Sequence, residues 1–146
     1  MAAVKDILGE TVINSEGEEV IVEQICKDKI AIGIYFSAQW CSPCRSFTPI
    51  LKRFFEENAK DFAVVFVSSD IDQSAFDEYF STMPWYAVQY TDTELKEQLT
   101  AKYKIRGTPS IVVLRPGGEV IEENGRSTIQ TASRNSYMFP DKWKIH

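Results

Sequence analysis

The sequence predicts an α/β fold in which a central mixed β-sheet is flanked by helices and carries an N-terminal β-hairpin extension. Three observations lead there. Two uninterrupted apolar runs of strand length, Ile30 to Phe36 and Phe62 to Val67, have the make-up of strands covered on both faces. Each is followed by a polar break and then by apolar residues at helical spacing: Phe47, Leu51, Phe54 and Phe55 after the first, Phe76, Tyr79 and Phe80 after the second. Hairpin signals stand at both ends, Asn14-Ser15-Glu16-Gly17 between two short apolar segments and Arg115-Pro116-Gly117-Gly118 between two more.

The bulk numbers fit one domain spanning residues 1–146. A chain of this length buries roughly 70% of its unfolded surface and needs no disulfide scaffold. Apolar residues at 44% and charged residues at 25% are ordinary for a soluble protein, and a net charge of −5 speaks against a nucleic-acid partner. No apolar run approaches the roughly 18 residues of a membrane span, and the first residues lack a signal core, so the expected location is cytoplasmic, with the nucleus as a second site. Three cysteines, two of them in one CxxC, suggest a working pair and a spare rather than a secreted framework.

In chain order, Thr11 to Ile13 and Val20 to Val22 form the first hairpin, read as peripheral, and a short helix follows near Glu23 to Cys26. Cys26 has no electropositive or motif context, so simple packing is its expected role. The first apolar strand leads to a helix that opens at the cysteines; Pro49 inside it predicts a kink near Phe47 to Pro49, because proline donates no hydrogen bond and crowds the preceding turn. The second apolar strand gives way at Ser68-Ser69-Asp70-Ile71-Asp72 to a capped helix ending before Pro84. Tyr86 to Tyr90 alternates as a short strand or an extended connection. Thr91-Asp92-Thr93-Glu94 fits a capping box ahead of Leu95, Leu99 and Tyr103. Ser110 to Leu114 and Glu119 to Ile121 make the closing hairpin. The polar remainder predicts one weak helix and a docked aromatic end around Phe139 and Trp143.

The chemistry concentrates in Trp40-Cys41-Ser42-Pro43-Cys44-Arg45. Cysteines at i and i+3 in a first helical turn lie on one face, close enough to close a small disulfide ring. Unpaired N–H groups and the positive end of the helix dipole favour a thiolate at Cys41. Cys44, one turn inside, is placed to attack a mixed disulfide on its neighbour. Structural zinc would need two further ligands, and only Cys26 and His146 remain. Pro43 suits an early helix position and can also tune redox poise. Trp40, beside the first cysteine, is expected to give partners an apolar landing surface; Trp85 fits that role and the core equally well.

Strand-CxxC-helix, strand-helix and then Thr108-Pro109 before a hairpin resemble the thioredoxin fold. The segments Phe36 to Pro49, Met83-Pro84-Trp85, Arg106-Gly107-Thr108-Pro109 and Phe139-Pro140 resemble nucleoredoxin and tryparedoxin domains. Tryparedoxins usually carry Trp where this chain has Ser69, and Val67-Ser68-Ser69-Asp70 is more similar to nucleoredoxin. The resemblance implies that Cys41 attacks, that Cys44 resolves, and that Pro109 is a cis proline facing the disulfide, with the backbone at Thr108 pairing with an extended substrate beside Trp40, Pro43 and Trp85. It implies reduction of protein disulfides with no cofactor, fed by an upstream dithiol reductant or reductase, in redox regulation of signalling. The alternative is a redox-sensing protein that binds and releases signalling partners without turnover. One position departs from ordinary thioredoxins: Tyr35 stands where they bury an Asp, which leaves water or Asp70 to take the proton of Cys44.

Overall fold

Residues 3–144 are described by a computed structural model. The first half of the chain forms α1 (Val4–Leu8), β1 (Thr11–Ile13), β2 (Glu19–Ile21), α2 (Val22–Cys26), β3 (Ala31–Ser37), α3 (Ser42–Asn58) and β4 (Phe62–Ser68). The second half forms α4 (Gln73–Phe80), β5 (Tyr86–Ala87), α5 (Thr93–Lys102), β6 (Ser110–Leu114), β7 (Val120–Glu122), α6 (Gly125–Ser133) and α7 (Asp141–Lys144).

One seven-stranded mixed sheet runs in the order β2-β1-β5-β4-β3-β6-β7. Strand β3 lies in its interior, parallel to β4 and antiparallel to β6, with Ile34 opposite both Val65 and Val112. That position explains the unbroken apolar run, since every residue of β3 and of β4 is buried. The N-terminal hairpin lies at the edge of the sheet, as expected, but is joined to it. Ile13 of β1 pairs with Ala87 of β5, so the hairpin extends the main sheet and satisfies backbone groups that β5 would otherwise leave open.

Alternation along the strands sorts side chains into two layers. Tyr35, Phe62, Val64, Phe66, Ile111 and Val113 face α3, α4, α6 and α7, whereas Ile34, Phe36, Val65, Val67, Val112 and Leu114 face α1, α2 and α5. Helix α1 had no counterpart in the sequence reading. Its signal is short, Val4, Ile7 and Leu8 within five residues, with Val4 and Leu8 buried and Ile7 partly so.

Helix α3 continues through Pro49, whose ring is exposed, so the apolar stripe of Phe47, Leu51 and Phe54 stays on the core. The cap of α5 falls one residue later than the capping-box pattern suggests: the Asp92 carboxylate accepts the Leu95 N–H at 3.2 Å. The aromatic end docks as expected. Trp143 is fully buried, with its ring centroid 5.8 Å from both Phe54 and Phe62, and the buried Arg115 guanidinium donates to the carbonyls of Trp143 and Ile30.

Candidate active site

The loop from β3 into α3 sets the position of the cysteines. Asp70, at the end of β4, accepts the Gln39 N–H at 2.7 Å and the Ser68 hydroxyl, while the Tyr90 hydroxyl donates to the Asp70 carbonyl at 2.7 Å. The Trp40 indole N–H donates to the Ser69 carbonyl at 3.0 Å. Ala38 to Trp40 is thereby pinned to the neighbouring strand end, and Cys41 becomes the N-cap of α3. Asp70 spends both carboxylate oxygens on this task. The groups that act on Cys44 are instead Cys41, Ser37, Thr108 and the Ala38 backbone.

Cys41 and Cys44 differ in burial and in charge preference. The Cys41 sulfur retains a little exposure and donates to the Thr108 carbonyl at 3.5 Å; Cys44 is wholly buried one turn further in. Burial pushes the Cys41 thiol up, but hydrogen bonds from the Cys44 side chain, Thr108 and the Cys44 backbone, together with the charge of Arg126, outweigh it and leave the thiol below its ordinary value. Cys44 goes the other way, raised by burial and by sharing its hydrogen bond with the Cys41 thiolate. A thiol ready to ionise thus sits beside one that keeps its proton.

The opposite wall is the Thr108–Pro109 peptide, which is cis. Pro109 is buried and Thr108 half-buried. Trp40, 60% exposed, flanks the cysteines on the solvent side, and Pro43 is exposed in the first turn of α3. These residues come together. Trp85 does not join them: it is 1% exposed, edge-on to Tyr35 and Phe55, and belongs to the core beneath the site. Bulk decides this, because the ring fills the layer between β3 and α3 and leaves no face for a partner. Cys26 lies in the other core layer, across the sheet, where burial alone raises its thiol to about 11.

Two features of the site had no visible signal in the sequence. Arg126 reaches the electrostatic surroundings of Cys41 because α6 starts hard against β6: a Cβ at Gly125 would stand 2.9 Å from the Ile111 carbonyl. The second is a run of buried hydroxyls under Cys44, from Tyr35, Thr48, Tyr79 and Ser37, contributed by β3, α3 and α4.

A mixed sheet with a dithiol at a helix start, facing a cis proline, defines a thioredoxin-like domain. Residues 30–120 match the family described as thioredoxin-like, and the chain belongs to it. It is 40% identical over 135 residues to a protein named probable nucleoredoxin 1 from Arabidopsis thaliana, covering 90% of this chain and 23% of that protein. To nucleoredoxin from Bos taurus it is 39% identical over 125 residues, covering 84% of this chain and 28% of the relative. The chain therefore spans about a quarter of the length of these curated relatives. Among solved structures, tryparedoxin I from Crithidia fasciculata superposes with a TM-score of 0.81 at 32% identity, covering 88% of this chain and 90% of that one. Tryparedoxin II from the same organism gives 0.84 at 26% identity, over 97% and 96%. Within the thioredoxin-like family the chain thus falls on the nucleoredoxin and tryparedoxin branch.

Proposed function

We propose that this domain is a thiol–disulfide oxidoreductase that reduces protein disulfides through Cys41 and Cys44. The observation that carries the reading is the asymmetry of the two thiols: the accessible one is pushed toward thiolate, and the buried one is held protonated within its reach. Cys41 attacks a partner disulfide and forms a mixed disulfide. Cys44 then attacks Cys41, releasing the partner as a thiol and closing the Cys41–Cys44 bond. An upstream dithiol reductant or reductase reopens that bond. The exposed Trp40, the first turn at Pro43 and the backbone at Thr108 and Pro109 frame the place where an extended partner segment would lie.

The resemblance supports extending the proposal to redox regulation of signalling partners in the cytoplasm and nucleus, as one domain without nucleic-acid or membrane contacts. Among the described residues no helix is long and apolar enough to cross a membrane. A sensor that binds partners without turnover is the competing reading, supported by the exposed side chain of Trp40 next to Cys41. Steady-state disulfide reduction with defined donors separates the two. Mixed-disulfide capture then tests the roles: Cys44→Ser accumulates covalent partners on a non-reducing gel and Cys41→Ser captures little, whereas equal capture by both would overturn the assignment.

A further inference from the structure

Helix α5 joins the core by one face and leaves the other open. Leu95, Leu99 and Tyr103, four residues apart, pack into the aliphatic layer. Thr93, Lys96, Glu97, Thr100, Ala101 and Lys104 recur at i, i+3, i+4, i+7, i+8 and i+11, so they form a second stripe, and all six line a groove of about 490 Å³. From Thr93 to Ala101 that stripe runs about 12 Å, the span of roughly four extended residues. The remaining lining is the end of β4, from Val67 to Ser69, with Ile105 and Arg106.

Two of these segments also frame the dithiol. The Ser69 carbonyl accepts the indole N–H of Trp40, the residue before Cys41, and Arg106 stands two residues ahead of Thr108, whose carbonyl accepts from Cys41. The charge along the groove is uneven. Lys96, Lys104 and Arg106 line it against the single carboxylate of Glu97, in a protein whose net charge is −5. No ion pair among the described residues uses any of these three cations. Lys96 sits 3.8 Å from the centroid of the Tyr90 ring and feels Asp70 and Asp92, although Asp70 has both carboxylate oxygens committed to Gln39 and Ser68. Lys104 and Arg106 are exposed.

Lys104 occupies a backbone site suited to glycine. Its φ is 53°, directly after Tyr103, the C-cap of α5. Its N–H donates to the Ala101 carbonyl at 3.2 Å, and the Ile105 N–H donates to the Thr100 carbonyl at 3.0 Å. Helices commonly end on such a left-handed residue, which glycine adopts without the Cβ penalty that lysine incurs. A cation thus stands in the groove wall at the expense of local backbone stability.

We propose that this groove selects substrates: it receives an extended acidic segment of the partner protein, next in that chain to the disulfide that Cys41 attacks, with the segment's carboxylates against Lys104, Arg106 and Lys96. The inference rests on the reading of the domain as a reductase of protein disulfides and adds the class of partner it takes. The lining includes Val67, Ala101 and Ile105, apolar surface that a peptide covers and a small inorganic anion does not. The groove residues take no part in bond exchange. They draw acidic partners to the site and orient them beside Trp40.

The test uses a peptide with one internal disulfide, in two versions that differ only in the four residues beside it: alternating Asp and Glu, or the corresponding Asn and Gln. The second-order rate constant for reduction by the reduced domain should favour the acidic version about fivefold to twentyfold at low ionic strength, and less as salt is added. Lys104→Gly combined with Arg106→Gln should bring that preference below about twofold. Because the backbone at 104 suits glycine, Lys104→Gly should not lower the urea midpoint, which separates loss of preference from loss of fold. Lys60→Gln combined with Arg134→Gln, outside the groove, changes the net charge equally and should keep the preference. Equal rates on the two peptides, a preference that survives in the groove variant, or one that disappears in the outside pair as well would each overturn the proposal. Binding of a linear acidic peptide, with Ser in place of its cysteines, to the Cys41→Ser, Cys44→Ser domain reads the groove without redox chemistry by titration calorimetry. Binding that the groove variant loses, with neither disulfide peptide reduced by the parent, would overturn the proposed function and leave the groove standing. Reduction of both peptides at equal rates would do the reverse.

Discussion

The layer of the core under α3, α4, α6 and α7 is walled with rings, and the layer under α1, α2 and α5 mostly with aliphatic chains, Phe36 being its one fully buried ring among the described residues. Strand β4 shows both at once: Phe62, Val64 and Phe66 face the first, Ala63, Val65 and Val67 the second. On the ring side, Tyr35 meets Phe47 and Trp85 edge-on and Phe66 stacks on Phe76. Such pairs add about 0.5–1.5 kcal/mol beyond the area they bury, and the tyrosines bring polar ends into the core. Each layer borders a cysteine. Cys26, among aliphatic neighbours, feels burial alone and is pushed up to about 11. Cys41 feels burial too, yet donors and the charge of Arg126 carry it below its ordinary value. The chemistry of a thiol in this fold is set by what surrounds it, since burial by itself only silences it.

The largest effect expected from this contrast is on turnover. Cys41→Ser should abolish disulfide reduction, while Cys26→Ala should change it by less than about twofold, because a buried thiol without a resolving neighbour has no part in exchange. Comparable losses in the two variants, measured as steady-state reduction, would break the distinction between the layers. Next comes stability. Trp143→Ala removes a ring packed against Phe54, Phe62 and Phe139 and should cost about 3–5 kcal/mol. Val112→Ala, on the aliphatic side, should cost about 1–3 kcal/mol. Urea unfolding measures both, and a cost for Trp143→Ala no larger than that for Val112→Ala would mean that the docked aromatic end adds little to the fold.

How much of this could be read in advance follows from how local each signal is. The apolar runs of β3 and β4 and the stripe on α3 lie within single segments, so period and composition revealed them together with the cysteines at the helix start. Three parts were hidden because their partners are distant in sequence. The short helix α1 spans only five residues, with Val4, Ile7 and Leu8 as its apolar positions, and is held by packing on α2. The Ser37–Tyr79 and Thr48–Tyr79 bonds span 42 and 31 residues, and nothing in either segment announces the other. Trp85 read equally well as surface or core, and the ring layer that claims it exists only once β3, α3 and β5 are assembled.

A third expectation concerns pH and separates the cysteines through stability. Cys26 stays protonated in the folded protein up to about 11, whereas in the unfolded chain it ionises near its ordinary value of 9.0. Between those values the folded state binds more protons than the unfolded one, so the contribution of Cys26 is full below the lower value and is lost as pH rises through the higher. Urea midpoints of the parent protein should therefore fall across this window, and Cys26→Ala should fall less steeply. Identical slopes would mean that the aliphatic layer does not suppress ionisation of the thiol.

The smallest effect belongs to Tyr35, the residue that stands where ordinary thioredoxins bury an acid. Its hydroxyl lies 2.7 Å from Thr48 Oγ1, which gives its own hydrogen to the Cys44 carbonyl and so accepts the tyrosine's. Tyr35→Phe keeps the ring against Phe47, Phe66 and Trp85 and removes that single donor. Thr48 still donates to the Cys44 carbonyl and still accepts from Tyr79, so no buried hydrogen loses its acceptor. The cost should be that of one ordinary hydrogen bond, about 0.5–1.5 kcal/mol in urea unfolding. A cost above that range would show that the phenol does more in the ring layer than hold one hydrogen bond.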